Sequence, residues 1–417
     1  MIRIRLFDID RWEEIFLTLK TNKMRSVLTA FGIFWGVFML VLLMGGSNGL
    51  QSMLTSNFTG FATNSYFVSA GQTTLPYKGF RKGRKWDMEI ADLHRLRQRL
   101  PEIETATPVF AIWGANIVFN NREMTSTLRG IDVDFARVES PDITQGRYFN
   151  ESDVQNGRKV CIIGKRVAEE LFPGIPNPCG NQIRMQGVYF QVIGVNGRTG
   201  MSAMGNSATT IQLPYTTMQH IFRMGNKIQS MAITVKPGYR VSDIAPKVDA
   251  IIKRSHQIHP EDKEAVWGLN MEAMFKLVDN LFHGISILVW MIGLGTLFTG
   301  AVGVSNIMMV TVRERTAEIG IRRAIGARPR DILWQILSEG MVLTLLAGMS
   351  GIILAVWTLQ GVEAIVKAQN DLDASFQVSF GMAVGAALLL ALLGGLAGLA
   401  PAYRALGIKP IEAIRDE

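Results

Sequence analysis

Chemistry in this chain has few residue types to start from: 417 residues hold five histidines and two cysteines. His256 and His259 stand three apart, a spacing that would put two imidazoles on one face of a helix. No cysteine, further histidine or acidic cluster completes a site around them, so no metal is expected. Cys161 and Cys179 match no zinc spacing. They could pair in an oxidising compartment or serve as two small buried hydrophobes, and the sequence leaves both readings open. No Ser/His/Asp or Cys/His arrangement suited to hydrolysis stands out.

Gly157–Arg166 (GRKVCIIGKR) has the flavour of a phosphate-binding loop. Six residues separate Gly157 from Gly164 where such a loop has four, and Arg166 stands where a hydroxyl must reach Mg²⁺. A strand over 159–164 entering a helix is the better reading. The chain offers no other phosphate loop, so it is expected to bind neither ATP nor any other cofactor by itself.

The richest charged constellation is Thr311–Gly340, TVRERTAEIGIRRAIGARPRDILWQILSEG. Glu318 and Arg322 lie four apart in the order that favours a helix. The spacing predicts that the apolar run before Thr311 continues as one charged helix, with Gly326 as its C-terminal cap. Pro329 suits the first turn of the next helix. The product would be a sharply turned helical elbow.

The elements that must position this elbow are apolar. Val27–Gly46, Gly284–Val312, Gly340–Val362 and Ala374–Tyr403 each lack any charged residue. About 20 apolar residues suffice to cross roughly 30 Å of hydrocarbon, so each reads as a membrane span. Glycines recur at four-residue spacing, at Gly32/Gly36, Gly45/Gly49, Gly381/Gly385 and Gly394/Gly398, a pattern that lets helix backbones approach in lipid. The spans hold no Asp, Glu, Lys or Arg of the kind that marks ion coupling.

Net charge is +8, from 43 Lys and Arg against 35 Asp and Glu. The cations crowd beside apolar runs, which indicates cytoplasmic flanks of a membrane protein and argues against nucleic acid. Arg3, Arg5, Arg11, Lys20, Lys23 and Arg25 precede the first span; six arginines fall between 313 and 330. The positive-inside rule puts both termini and that loop in the cytoplasm, leaving 51–280 outside.

The expected layout is a membrane protein of four transmembrane α-helices, with a large α+β extracytoplasmic domain inserted between helices 1 and 2. Its segments are 1–25 cytoplasmic, 26–50 span one, 51–280 outer domain, 281–312 span two, 313–332 elbow, 333–362 span three, 374–403 span four and 404–417 cytoplasmic tail. Within the outer domain, alternating runs at Asn64–Ala70 and Gly187–Val195 read as strands. Helices are predicted at Met88–Leu100, capped by Asp87, and at Lys165–Phe172, Tyr215–Phe222 and Val241–His256. Gly71–Lys85 and Gly197–Ser207 read as flexible loops whose Arg and Met content could line a substrate path.

Arg315-x-x-Glu318-Ile319-Gly320 followed by Arg323-Ala324-x-Gly326-Ala327 resembles the signature of FtsX/MacB-type ABC transporter permeases. Met24-Arg25-Ser26-x-Leu28-Thr29-Ala30-x-Gly32-Ile33-x-x-Gly36-Val37 resembles that family's first span. Val160–Val195, with Ile163-Gly164, Leu171-Phe172, Pro178-x-Gly180 and Val192-Ile193-Gly194-Val195, resembles a MacB-like periplasmic core domain. Pro401-Ala402-x-x-Ala405 and Pro410-x-Glu412-Ala413-Ile414-Arg415 resemble the family's cytoplasmic tail.

The resemblance implies a bacterial inner-membrane permease subunit without enzymatic activity of its own. Arg315, Glu318, Ile319, Gly320, Arg323, Gly326 and Ala327 would form the coupling elbow docking into an ATPase dimer, which binds the ATP and Mg²⁺. About 25 residues precede the first span, which implies an ATPase on a separate chain. A second permease chain, identical or paralogous, would associate through the spans, with Gly32, Gly36, Gly381, Gly385, Gly394 and Gly398 packing helices. Ser47–Gly60 and Met271–Phe282 would extend spans one and two beyond the bilayer and carry movement to the outer domain. The implied task is efflux of antibiotics, peptides or other amphiphiles, with a membrane-fusion adaptor and an outer-membrane channel as further partners. Lipoprotein release, and FtsX-like regulation of a cell-wall hydrolase, are the alternatives.

Overall fold

The computed structural model describes residues 23–56, 60–202, 205–369, 376 and 378–407 of the protein. The expectations for residues 1–22 and for the motif at Pro410–Arg415 lie outside them. Residues 53–280 form one compact unit, and the segments on either side of them form another.

Four helices build the membrane unit: α1 (Lys23–Ser56), α6 (Met271–Glu314), α8 (Pro329–Gln369) and α9 (Phe380–Leu406). Each contains a stretch long and apolar enough to span a bilayer. At 1.5 Å per residue, the 34 residues of α1 and the 44 of α6 run about 51 and 66 Å, well past the hydrocarbon. Ile33, Val37 and Leu40 of α1 pack with Leu297 and Val304 of α6, Ala347 and Ile352 of α8, and Leu390 and Ala397 of α9. Apolar side chains also point outward, Phe298, Trp357 and Leu388 among them, as lipid contact requires.

Glycine lets these helices touch, though not always at the four-residue pairs. A Cβ on Gly36 would lie 3.4 Å from Leu297, one on Gly394 3.0 Å from Thr344, and one on Gly398 2.9 Å from Leu337. Gly32 faces the Gly300 Cα at 3.7 Å. Gly381 and Gly385 differ: a Cβ on either meets nothing within 4 Å among the described residues. The tight places also include Gly351, where a Cβ would lie 2.7 Å from the Phe34 carbonyl, and which belongs to no four-spaced pair.

The outer unit is a mixed ten-stranded sheet with helices on it. Its strands are β1 (Ser65–Ala70), β2 (Ile103–Phe119), β3 (Arg122–Ile131), β4 (Ile143–Gly146), β5 (Val160–Gly164), β6 (Gln182–Met185), β7 (Val188–Asn196), β8 (Thr210–Pro214), β9 (Ser230–Val235) and β10 (Val266–Asn270). The order is β10-β1-β9-β2-β3-β8-β5-β7-β4, with β6 pairing β2 and β7; β8 with β3 and β5 with β7 are parallel. The 17-residue β2 serves three neighbours, pairing β9 through Ile103–Val109, β3 from Phe110 onward and β6 at Ile117 and Val118. A register shift between Ile112 and Ala115 bends it there, and Gly114 adopts φ +69° in the bulge.

Helices α2 (Ile90–Arg99), α3 (Lys165–Leu171), α4 (Tyr215–Ile221) and α5 (Val241–Ser255) lie in the same unit, with a further short helix at Glu151–Gln155. The strand and helix expectations at 64–70, 165–172, 187–195 and 215–222 fall on these elements. Three others need correction. Asp87 does not cap α2: Met88 and Glu89 pair as strand with Ile228 and Lys227, Glu89 is the N-cap, and Asp87 binds Lys227 at 2.7 Å. His256 and His259 do not share a helix face, because α5 ends at Ser255 and Gln257 turns to φ +52°. His256 contacts Asp92 at 2.7 Å and stacks near Trp86, while His259 meets Tyr77 edge-on.

The 71–85 loop is also better anchored than its composition suggests. Buried Asp262 accepts from Thr74 N at 2.7 Å, Thr74 Oγ1 at 2.8 Å, Leu75 N at 3.0 Å and Ala265 N at 3.2 Å. Arg84 Nη2 donates to the His256 carbonyl at 2.6 Å, and Trp86 Nε1 to Ala265 at 2.9 Å. Cys161, fully buried, and Cys179, half-buried, are both free thiols; burial pushes both up from the ordinary thiol value.

The core of this unit hides a charge cluster. Arg129 Nη1 donates to Glu139 Oε2 at 2.8 Å with both side chains out of water, and Arg198 Nη1 approaches Glu139 Oε1 at 3.3 Å. The Phe135 ring lies 5.1 Å from the Arg129 guanidinium and the Phe61 ring 5.0 Å from that of Arg198. Arg198 stands at the start of the 197–207 stretch and ties it to Glu139.

Candidate functional site

The elbow differs from one continuous helix. Span two ends at Glu314, and Arg315, at φ −100° and ψ 16°, breaks the ladder before α7 (Thr316–Ala324) begins. The break lets α7 leave the axis of α6 instead of prolonging it. At the far end Gly326 takes φ +105°, and two crossed hydrogen bonds close the helix: Ala327 N to Arg322 O at 3.0 Å and Gly326 N to Arg323 O at 3.2 Å. This pairing demands a left-handed residue after the last helical turn, which explains glycine there. Pro329 then opens α8, where its missing N–H has no partner to lose.

Beneath α7 lies an apolar seat. Ile319 packs with Val312, Ile332, Ile336 and Leu337, and with Ala402 and Ala405 of α9. Ile319 and Gly320 are thus the buried residues of α7, the first filling the seat.

Over the seat runs a polar clasp. Arg315 reaches Glu339 at 3.3 Å and Glu318 at 3.8 Å; Arg322 binds Glu318 at 2.7 Å and Gln335 at 3.1 Å. Both arginines therefore bridge the elbow to α8. Arg323 spans farther, donating to the Leu406 carbonyl at 2.9 Å. A guanidinium at the last turn of α9 is the favoured charge at a helix C-terminus. Glu339, near the inner end of span three, is held in this clasp.

The predicted coupling residues therefore divide. Ile319 and Gly320 are buried, Arg315 and Arg323 spend their guanidinium groups on neighbouring helices, and Glu318 and Gly326 are exposed. The geometry adds residues the motif passed over: Ile325 is 83% exposed at the tip and Ile321 49% exposed one turn before it. Both are apolar side chains exposed near the charged end of α7. Ile325 occupies the unspecified position between Ala324 and Gly326, so only burial could single it out. No group of three or more candidate metal ligands is found among the described residues.

Sequence comparisons agree in both halves. Residues 26–251 match the MacB-like periplasmic core domain and residues 290–410 the FtsX-like permease C-terminal domain. The macrolide export ATP-binding/permease protein MacB of Bdellovibrio bacteriovorus is 28% identical over 98% of this chain and 62% of its own length. The pyoverdine export ATP-binding/permease protein PvdT of Pseudomonas fluorescens is 31% identical over 95% of this chain and 58% of its own. The chain thus spans about three-fifths of the curated relatives it matches. The crystal structure of the periplasmic region of MacB from Actinobacillus actinomycetemcomitans covers 54% of this chain and 96% of that one, with a TM-score of 0.43 and 21% identity.

Proposed function

The chain belongs to the MacB/FtsX-type family of ABC transporter permeases, and on that premise we propose that it is the membrane part of an exporter driven by an ABC ATPase. The single observation that carries the coupling role is the apolar tip of α7, Ile321 and Ile325, held outward by the clasp and seat beneath it. An ATPase dimer that closes on ATP would grip this tip and move α7 as a lever. The seat and the Arg315 and Arg322 bridges would pass the movement to α8, and the unbroken α6 would carry it on to its first residues, 271–280, which belong to the outer domain.

In this reading the termini and elbow face the cytoplasm of a bacterial inner membrane and 51–280 the periplasm. Gly381 and Gly385, open along α9, would receive the second permease chain. The substrates would be amphiphiles delivered from the outer side of the inner membrane, a range that includes compounds such as the macrolides and pyoverdine named for the relatives. An adaptor and an outer-membrane channel would complete the path.

The test is reconstitution with the ATPase. Loss of an anchoring apolar side chain from an interface costs about 2 kcal/mol or more, so Ile325→Asp should weaken ATPase docking roughly thirtyfold. Membrane insertion and yield should be unchanged. Undiminished ATPase stimulation by the Ile325→Asp and Ile321→Asp proteins would remove the docking role from this tip. Vanadate trapping with radiolabelled macrolide then reads the substrate class.

A further inference from the structure

A hollow of about 630 Å³ opens on the outer domain between the 71–85 loop and α5. That volume is in the range of about 300–1,000 Å³ that holds drug-sized ligands. Tyr77 and Lys78 line it from the loop, and Pro246, Asp249, Lys253 and Arg254 from α5. Three cations thus face one carboxylate. Asp249 is already engaged, accepting from the Tyr66 hydroxyl at 2.8 Å, and burial raises its pKa above the usual carboxylate value. Lys78 sits over the Tyr77 ring at 5.6 Å, and the lining offers no second carboxylate, so positive charge is in surplus there.

The walls are built in advance. Asp262 and Arg84 anchor the loop, His259 packs edge-on against Tyr77 at 5.4 Å, and Lys253 Nζ is steadied by the Pro260 carbonyl at 3.2 Å. A preformed hollow spares a ligand much of the ordering cost of binding. The Tyr77 ring and Pro246 offer apolar surface beside the cations. Cations over an apolar wall match a ligand with acid groups on an apolar body; a neutral amphiphile would leave the ammonium and guanidinium groups unmatched.

We propose that this hollow binds amphipathic organic anions, with Lys78, Lys253 and Arg254 holding the acid groups and Tyr77 and Pro246 the apolar body. This goes beyond the export reading and does not depend on it, since binding needs no ATPase.

The test uses the full chain in phosphatidylcholine nanodiscs and titrates naphthalene-2,6-dicarboxylate calorimetrically, with empty nanodiscs as blank. Saturable binding is expected, weakening as salt rises because exposed charges are screened over about 10 Å at 0.1 M. The Lys253→Glu/Arg254→Glu chain should bind roughly tenfold more weakly or worse. Ala250→Trp, which fills the hollow without changing its charge, should abolish binding, so the conclusion survives should the double variant fold poorly. The uncharged 2,6-bis(hydroxymethyl)naphthalene should not bind. The proposal is overturned by absent binding in the unaltered chain, by equal affinity for the uncharged probe, or by unchanged affinity in the filled chain. Since no ATPase is present, each such result leaves the coupling reading intact.

Discussion

In the outer domain Arg129 meets Glu139 at 2.8 Å with 0% and 2% of their side chains exposed; in the elbow Arg322 meets Glu318 at 2.7 Å with 40% and 45% exposed. The distances are alike, and the consequences are not. Around Glu139 no solvent stands ready to replace a lost partner, so the pair holds β3 and the residues after it in one arrangement. Around Glu318 water competes for every charge, so the pair can open and re-form at little cost. A pin suits a domain that moves as a body. A clasp suits a joint that must transmit movement and then relax.

The comparison can be broken by substitution. Arg129→Ala should cost about 3 kcal/mol, since it removes the closer of the two guanidinium groups on buried Glu139 and leaves Arg198 at 3.3 Å to hold the carboxylate. It should appear as a large fall in the thermal transition of the outer domain, and a fall below 1 kcal/mol would mean the cluster is not a pin. Arg315→Ala, at a half-buried site, should cost about 1–3 kcal/mol through the stranded Glu339 carboxylate. Its larger signature should be lost coupling, with ATPase stimulation falling more than the melting temperature suggests.

Acid offers a third, smaller contrast. Burial alone would raise the Asp262 pKa, but its hydrogen bonds from Thr74, Leu75 and Ala265 outweigh that and hold it below the usual value. A folded-state pKa below the unfolded value of about 3.9 means the contribution is complete above that pH and is lost as pH falls through the folded value. Hydrogen-exchange protection over 73–85, referred to the intrinsic exchange rate at each pH, should therefore fall in acid. Asp262→Asn should exchange faster already at neutral pH and lose much of that acid dependence. Smallest of all, a double-mutant cycle on Glu318 and Arg322 should return about 0.3–0.5 kcal/mol, as exposed helix pairs do. A value several times larger would make the clasp a second pin.

Much of the candidate site was legible in residue order. Gly326 and Pro329 mark a helix end and a helix start because few other residues tolerate a positive φ or a missing N–H there. The break at Arg315 was not legible: its sequence neighbourhood favours helix on both sides, and only the apolar seat beneath α7 decides where the chain turns. Ile325 was invisible for the same reason. An isoleucine in a charged segment reads as core, and whether it points into the seat or into water depends on α8 and α9. Gly381 and Gly394 carry identical four-residue patterns, yet one faces open space and the other Thr344. Spacing records a helix's periodicity and not the identity of its neighbour.

By itself the sequence determined the four spans, the inserted domain and the elbow's place, since transfer of apolar residues out of water and the chemistry of caps act locally along the chain. The tertiary structure alone decided which arginine is a pin and which a clasp, which isoleucine is exposed, and that a basic loop and α5 enclose a hollow. Those outcomes depend on what arrives from distant segments to exclude water, and distance along the chain carries no record of it.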